Sequence, residues 1–464
     1  MTHLAVHTTA IPGLLIIDLD VHTDARGWFK ENWQREKMIA LGLPDFGPVQ
    51  QNLSFNATAG ATRGLHAEPW DKLTSVVAGR AFCVWVDLRS GAGFGRVVTA
   101  ELGLSQAVFV PRGVANGFQA LEDGTLYSYL VNAHWSPQAR GSYSYLNLAD
   151  ETVAVDWPIP LAQATISEAD AAHPRLGQAR PVPVKRTLIV GANGQLGRAL
   201  RDLLPEADCV DLPDFDVADP ASVDAYPWAE VDTIINASAF TAVDAAETAE
   251  GRVACWRANV TGVGNLARVA AAHRLRLVHV SSDYVFDGSA EVHDEGEPFS
   301  PLGVYAQTKA AGDALVAQVP NHYIVRSSWV IGAGKNFVST MASLAVKGVN
   351  PRVVDDQFGR LTFTTDLAAG IVHLLTTHAP AGTYNLTNRG PVASWHEIAQ
   401  QVFTHCGRNA ADVEAVSAAE YGADKELAPR PQFSTLDLTK IEATGFVAPT
   451  WPDRLADYLA TPIS

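Results

Sequence analysis

The sequence is poor in cysteine and in positive charge, and it has no long hydrophobic run. Its 464 residues include four cysteines, and these lack the spacing of a zinc site or a disulfide framework. Asp and Glu outnumber Lys and Arg by 50 to 34, giving a net charge of −16 that repels nucleic acid and anionic lipid. No apolar stretch approaches the ~20 residues that span a bilayer, and the first residues lack the basic segment of a signal peptide. We expect no metal, no nucleic-acid or membrane partner, and a cytoplasmic location.

Apolar residues make up 47% of the chain and charged residues 18%, which is typical of a globular protein with several cores. From 50 to 145, short apolar runs alternate with turn residues every 8–12 positions, which predicts an all-β domain. Beyond the proline-rich stretch HPRLGQARPVPVK, buried-strand runs alternate with Ala-rich helical segments, which predicts a parallel sheet of the Rossmann type. We predict domains at 1–178 and 187–464, a linker at 179–186, and a smaller substrate-binding lobe that the stretch from about Gly382 to Ser464 completes.

A glycine-rich loop follows the first strand of the second half. The sequence GANGQLG places Gly191, Gly194 and Gly197 between the strand TLIV and a helical segment. Such glycines permit a tight turn, close approach to a pyrophosphate, and helix–strand packing. The loop predicts NADPH or NADH as cofactor. A patch of three aspartates at 211–216 follows at the distance of a ribose-binding carboxylate, and of these we include Asp216 in the cofactor site.

A candidate proton donor lies further along. Tyr305 and Lys309 are four residues apart, so an ammonium group can lie beside the phenol and bring its pKa closer to neutrality. Tyr421 and Lys425 have the same spacing, but we regard them as a chance surface pair. The first pair follows a strand whose end supplies Ser282, a hydroxyl able to bind a substrate oxygen. Ser, Tyr and Lys beside a dinucleotide loop indicate carbonyl reduction by hydride transfer.

The second half resembles a known reductase family. The ordered motifs GANGQLG, NASAFTAVDAAE, ANVTG, VSSDYVFDG, VYAQTK, RSSWV and VVDDQFG are similar to those of the dTDP-4-dehydrorhamnose reductase branch of the extended short-chain dehydrogenases. The resemblance implies that Tyr305 is the proton donor, Lys309 its partner, and Ser282 the hydroxyl where the family usually has Thr. It implies further contacts with the cofactor, made by Asn193, Gln195, Leu196, Ala237 and Asn259. It also implies two contacts with the substrate, made by Asp283 and Trp329.

The first half resembles a second family. Strand-like segments place arginines and a histidine where alternation points them into a barrel mouth, although a histidine there is commonly structural. The motifs DARGWF, QQNLS, RGLH, VDLRSGAGFGR, VPRGVANGF and VDWP are similar to those of the dTDP-4-dehydrorhamnose 3,5-epimerases. This resemblance covers about 11–175. It implies a cupin-type jelly-roll barrel that needs no metal, and a homodimer formed through the barrel.

The epimerase resemblance also assigns roles to residues of this chain. His66 is the base that removes a proton beside the sugar ketone, and Asp170 is its partner. Lys72 stabilises the enolate oxygen, and Tyr129 returns a proton from the opposite face. Such chemistry needs a base of near-neutral pKa, a cation at the developing oxyanion and an acid across the ring. The implied substrate contacts are Arg26 and Arg63 on the diphosphate, with Phe29, Glu31, Gln50 and Asn52 near the nucleotide base.

Together the halves predict one bifunctional enzyme. It would epimerise dTDP-4-dehydro-6-deoxy-D-glucose at C3 and C5 and then reduce the C4 ketone with NAD(P)H, giving dTDP-L-rhamnose. Asn116 replaces a histidine usual in the epimerase family, which leaves open epimerisation at one carbon and a product such as the talose isomer. Two further alternatives are a silent, sugar-binding or dimerising first half, and a second half that only binds dinucleotide.

Overall fold

The computed structural model describes residues 4–377 and 379–460. The chain divides into two compact units, 1–184 and 185–464. No helix among the described residues is both long enough and apolar enough to cross a membrane.

The first unit consists almost entirely of antiparallel strands. The strands are β1 (Ala5–Thr8), β2 (Leu15–Asp18), β3 (Val21–Asp24), β4 (Gly27–Lys30), β5 (Gln50–Asn56), β6 (Thr62–Ala67), β7 (Lys72–Ala78), β8 (Ala81–Asp87), β9 (Val97–Leu102), β10 (Gln106–Val110), β11 (Val114–Ala120), β12 (Thr125–Val131) and β13 (Ser144–Tyr145), and the short helices are α1 (Arg35–Ala40) and α2 (Glu168–Ala171). One sheet has the order β1-β2-β10-β7-β12-β5, a second has the order β13-β6-β11-β8-β9, and β3 and β4 form a separate hairpin.

The core of this unit lies between the two larger sheets. Val76, Val108 and Tyr127 of the first sheet belong to the same buried cluster as Trp85 and Phe118 of the second. The alternation of apolar and polar residues along each strand produces this arrangement, because successive side chains point to opposite faces. The candidate site residues His66, Lys72 and Tyr129 lie on β6, β7 and β12 of these two sheets.

The segment predicted as a linker packs onto the first unit instead. Val182 is 5% exposed, its N–H donates to the Leu88 carbonyl, and its own carbonyl accepts from the N–H of Ser90. Leu176 belongs to the same buried cluster as Val182. The prolines of this segment do set an extended backbone, but the apolar residues between them are buried. The two units meet between Val184 and Lys185.

The second unit is built on a parallel sheet. Its strands are β14 (Arg186–Val190), β15 (Asp208–Val210), β16 (Val231–Asn236), β17 (Arg276–Ser282), β18 (His322–Ser327), β19 (Val330–Ile331), β20 (Arg352–Val354), β21 (Phe358–Gly359), β22 (Thr362–Phe363), β23 (Gly382–Asn385), β24 (Ala393–Ser394) and β25 (Glu414–Val416). Its helices are α3 (Gln195–Leu203), α4 (Pro220–Asp224), α5 (Ala249–Trp256), α6 (Val263–His273), α7 (Val304–Val316), α8 (Phe337–Val346), α9 (Thr364–Thr376), α10 (Trp395–His405), α11 (Ala418–Gly422), α12 (Thr439–Glu442) and α13 (Trp451–Ala460). The main sheet has the order β15-β14-β16-β17-β18-β23, and every pair in it is parallel.

A smaller lobe is assembled from three separate stretches of this unit. Its buried cluster draws on 331–363, 393–413 and 451–455. Of the intervening elements, α9 and β23 pack with the main sheet. The stretch from about Gly382, predicted to complete the lobe, contributes 393–413 and 451–455 to it, but its first strand β23 is the sixth strand of the main sheet. The lobe also includes α8, which precedes this stretch.

Two candidate active sites

The first candidate site is centred on a histidine–aspartate pair. His66 Nε2 lies 2.9 Å from Asp170 Oδ1, and Asp170 Oδ2 accepts from the N–H of Gly64 at 3.3 Å. A Cβ at Gly64 would lie 2.6 Å from the Cα of Gly117, so only glycine lets β6 lie this close to β11. Burial tends to raise the pKa of Asp170, but its bonds to His66 and Gly64 hold that pKa below its ordinary value. The structure therefore brings together the two residues that the resemblance predicts to be the base and its orienting carboxylate.

A second histidine adjoins this pair. The ring of His173 stacks on Tyr145 at 4.7 Å and lies 5.2 Å from that of His66. Burial, followed by the neighbouring His66, lowers the pKa of His173. The ligand atoms of His66, Asp170 and His173 lie within 4.8 Å of one another, a spacing that a metal ion can bridge. That the chemistry needs no metal stays a prediction.

Lys72 and Tyr129 lie side by side near the pair. Lys72 Nζ is 6.0 Å from the centre of the Tyr129 ring, donates to Asn116 Oδ1 at 2.6 Å, and is 2.9 Å from Glu68 Oε2. Asn116 faces His66 across the β6–β11 pairing. The structure therefore groups the four residues to which the epimerase resemblance assigns chemistry.

A cavity of about 290 Å³ opens beside Tyr129. Its walls are formed by Gln50, Asn52, Glu68, Trp70, Tyr129, Val131, Trp135 and Tyr143. Gln50 and Asn52 were expected at the nucleotide base, and they lie here with the Gln50 amide donating to Asn52 Oδ1. Glu68, Trp70 and Tyr143 were missed by sequence reasoning. The segment HAEPWDK offered a signal, because two of these side chains fall between His66 and Lys72.

Three other predicted substrate contacts lie apart from this cavity lining. Arg26 and Phe29 are exposed on the β3–β4 hairpin, with Arg26 paired to Asp24, and Glu31 pairs with Lys37. The motif DARGWF does not indicate how far the β3–β4 hairpin lies from the barrel mouth, so the sequence could not show this separation. Arg63 donates to Asn56 Oδ1, and its charge tends to lower the pKa of Tyr129, although burial raises that pKa overall.

The second candidate site begins at the glycine loop. Gly191 has a φ of +79°, and a Cβ there would lie 2.6 Å from the Ser238 nitrogen. Gly197 packs against the Gly191 carbonyl so closely that a Cβ would overlap it. At Gly194 a Cβ would meet only the Gly191 oxygen, at 3.3 Å, and α3 begins there without a side-chain cap. An open helix N-terminus with free backbone N–H groups fits the phosphates of a dinucleotide.

The carboxylate that touches this loop is Asp211 rather than Asp216. Asp211 follows β15 directly, and its Oδ2 accepts from the N–H of Asn193 at 2.8 Å. Asp216 is paired with Arg257 at 2.6 Å. Sequence distance alone did not separate them, whereas the pairing of β15 beside β14 brings the end of β15 to the loop. Ala237, also expected at the cofactor, follows β16 and donates its N–H to the Val190 carbonyl.

Lys309 lies buried on α7, and Tyr305 lies half-buried on the same helix. Tyr305 forms a side-chain hydrogen bond with Ser282, whose Oγ donates to Asp283 Oδ1 at 2.9 Å. Burial raises the pKa of Tyr305, and the Asp283 carboxyl raises it further. The Tyr–Lys spacing predicts the opposite direction, and that prediction is wrong because desolvation of the Tyr305 hydroxyl raises its pKa and Lys309 Nζ donates to the Val280 carbonyl at 2.7 Å. Burial also lowers the pKa of Lys309 to about 8.

The remaining predicted residues lie on several elements of the second unit. Asn259 accepts from the N–H of Phe240 and donates to Thr308 Oγ1, so it braces α7 one residue before Lys309. Trp329 has a φ of +45° and stacks on Trp395 at 3.7 Å. Burial raises the pKa of Asp283 to about 6. At the other Tyr–Lys pair, Lys425 Nζ lies 3.4 Å from the centre of the Tyr421 ring, and Tyr421 is exposed. The two further predicted cofactor contacts, Gln195 and Leu196, open α3.

Comparisons with known proteins divide the chain close to the boundary between the two structural units, at Val184 and Lys185. The family model for dTDP-4-dehydrorhamnose 3,5-epimerase matches residues 8–178, and the model described as RmlD substrate binding domain matches residues 185–463. The first part is similar to the RmlC homolog of Streptococcus pyogenes serotype M6, with 47% identity over 180 residues, which cover 38% of this chain and 90% of that protein.

The second part is similar to dTDP-4-dehydrorhamnose reductase of Mycobacterium tuberculosis, with 35% identity over 295 residues, covering 60% of this chain and 93% of that protein. It is also similar to a solved structure of dTDP-4-dehydrorhamnose reductase from Bacillus anthracis in complex with NADP. The identity there is 32%, the TM-score is 0.55, and the match covers 60% of this chain and all of that one. Each of the two parts therefore matches nearly the full length of the relatives to which it is similar.

Proposed function

Because the chain belongs to two families, the dTDP-4-dehydrorhamnose 3,5-epimerases through its first unit and the RmlD-type reductases through its second, we propose that its two sites act in succession on one nucleotide sugar. The protein is an epimerase–reductase fusion of the dTDP-L-rhamnose pathway, and it uses NAD(P)H. The epimerised ketone is the substrate of the reductase step.

In the epimerase step, His66 removes the proton beside the ketone while Asp170 orients its ring and stabilises the imidazolium that forms. Lys72 bonds the oxygen on which negative charge develops. Tyr129 returns a proton from the other face. The 2.9 Å contact between His66 and Asp170 and the position of Tyr129 in the cavity wall support these roles.

In the reductase step, Tyr305 gives its proton to the C4 oxygen, which Ser282 also bonds. Bound NAD(P)H supplies the hydride. The open N-terminus of α3 and the glycines before it hold the cofactor phosphates, and Asp211 takes the ribose-binding place first given to Asp216. The raised pKa of Tyr305 keeps the phenol protonated at neutral pH, as a proton donor requires.

The finer architecture belongs to the same proposal. We assign the first unit to the cupin-type jelly rolls and the second to the Rossmann folds with a substrate lobe, since both sheet orders agree with those assignments. A homodimer through the barrel is supported by Leu53 and Phe55, which are 62% and 64% exposed on the edge strand β5. An exposed apolar edge strand invites pairing with a second chain. We place the protein in the cytoplasm.

The observation that carries this function is the presence of both proton-transfer groups in one chain, His66 with Asp170 and Tyr305 with Ser282. The test is to incubate the full chain with the 4-keto sugar and NAD(P)H in deuterated water and to analyse the product by NMR. We expect deuterium at C3 and C5 and the rhamno configuration. Label at one carbon would indicate the single-epimerisation alternative, and reduction without label would indicate a silent first unit.

A further inference from the structure

Glu68 is a buried carboxylate to which neither the sequence motifs nor the proposed mechanism gives a task. It lies at the turn between β6 and β7 and lines the cavity with Tyr129. Its side chain is 12% exposed, and its Oε2 is 2.9 Å from Lys72 Nζ. The Lys72 side chain is itself only 5% exposed. Glu68 and Lys72 therefore form an ion pair at the cavity wall whose two side chains are almost completely shielded from solvent.

An isolated ammonium group in such a position is unfavourable. Burial lowers the pKa of Lys72, while the charge and the hydrogen bond of Glu68 oppose this lowering. A lysine stripped of its carboxylate partner loses its proton more readily, because burial penalises the charged form. A neutral amine stabilises an enolate oxygen far less than an ammonium does.

The carboxylate is fixed in place as well as charged. The Trp70 indole N–H donates to Glu68 Oε2 at 2.6 Å, and Trp70 is 6% exposed. Asn116 Oδ1 accepts a second hydrogen bond from Lys72. Since an ammonium group has three N–H donors, Glu68 and Asn116 leave one for a substrate oxygen. Asn116, which stands where the epimerase family usually has a histidine, therefore acts with Glu68 to hold the Lys72 ammonium in place.

We propose that Glu68 is a positioning residue of the epimerase, holding Lys72 as an ammonium ion and directing its free N–H at the oxygen of the enolate. The inference rests on the proposed function, because it requires Lys72 to act on that oxygen. Glu68 acts through Lys72 and does not itself exchange a proton with the sugar.

The test is the pH dependence of deuterium wash-in from solvent into the 4-keto sugar, measured at saturating substrate with the full chain. The Glu68→Gln variant keeps the size of the side chain and removes its charge. We expect its alkaline limit of activity to fall by about 1 pH unit or more, the size of a close ion-pair effect. The Trp70→Phe variant is the matched comparison, because it removes a hydrogen bond at the same carboxylate while leaving the charge. Whatever its rate, its alkaline limit should shift much less than that of Glu68→Gln.

Other titrating groups face this position and require a separate readout. Glu68 also raises the pKa of Tyr129 and of Tyr143, in both cases after burial, and Arg63 lowers that of Tyr129. Loss of the Tyr129 proton would by itself end the activity at alkaline pH, and this loss must be distinguished from loss of the Lys72 proton. The ultraviolet absorbance of tyrosinate reports on those rings when the titration of Glu68→Gln is compared with that of the same variant carrying Tyr129→Phe or Tyr143→Phe. We expect the activity of Glu68→Gln to fall at a lower pH than that at which the tyrosinate signal of either ring appears.

A variant that restores the charge completes the design. Glu68→Asp is expected to return the alkaline limit toward that of the wild type. The inference is overturned if Glu68→Gln, folded as judged by its melting temperature, keeps the wild-type pH profile, or if its limit coincides with tyrosinate formation. A wild-type protein that washes in no deuterium would instead contradict the proposed function, so the two failures are distinguishable.

Discussion

At the scale of single residues, removal of the Tyr305 hydroxyl tests proton donation separately from cofactor binding. Tyr305→Phe keeps the ring half-buried on α7 and removes only the group that bonds Ser282. We expect kcat of ketone reduction to fall by about 10²–10⁴-fold, the usual contribution of a positioned acid. Fluorescence titration with NADPH should show nearly unchanged affinity.

The chain provides a control for this substitution. Tyr421→Phe changes a tyrosine with the same spacing to a lysine, but one that contacts Lys425 at the surface. Its reduction rate should equal that of the wild type. Equal losses in the two variants, or none in Tyr305→Phe, would mean that the proton comes from another group.

His66 offers an equally direct test in the other unit. His66→Asn removes the base while leaving a side chain able to bond Asp170, so we expect no deuterium at C3 or C5 of the 4-keto sugar. NMR of the recovered sugar measures this. The same variant should still bind NADPH and should make no L-sugar. Two-site labelling at the wild-type rate would point to a different base in the barrel.

At the scale of elements, two glycines of one loop have separable tasks. Gly191→Ala forces a side chain into a left-handed conformation against Ser238, which should cost about 1–3 kcal/mol of unfolding free energy. Gly194 has a φ of −68°, so Gly194→Ala should unfold like the wild type. It should bind NADPH more weakly, because its methyl group would stand at the N-terminus of α3, where we propose that the cofactor phosphates bind. Urea unfolding and NADPH titration distinguish the two. Equal stability of both variants would contradict this division.

The elements also show what the sequence could and could not predict. Strand alternation and the glycine trio predict the two sheet types and the loop, because these depend on local spacing. The choice between Asp211 and Asp216 depends on which strand pairs with β14, and the raised pKa of Tyr305 depends on burial. The packing of Val182 depends on contacts with β8 and its neighbours, far away in sequence. Burial and strand pairing are tertiary properties that a motif does not carry.

At the scale of the whole molecule, the two units should fold separately when the chain is cut after Val184. We expect 185–464 to reduce the pre-epimerised ketone and 1–184 to exchange sugar protons. A first fragment ending at 178 is the matched comparison. It lacks buried Val182, and we expect it to be less stable by about 1.5–3 kcal/mol, the value of one buried aliphatic side chain. Thermal and urea unfolding measure this difference, and equal stability would show that the segment is dispensable.

The lobe of the second unit is assembled from three stretches of chain, 331–363, 393–413 and 451–455, between which the chain returns to the main sheet. A lobe of this kind cannot be exchanged between related enzymes as one cassette, because any crossover inside it also transplants α9 or β23. Recombination that seeks a new sugar specificity must therefore either replace single side chains, such as Trp329, or move the entire unit. Because lobe and sheet alternate along the chain, this unit is expected to be inherited as a whole.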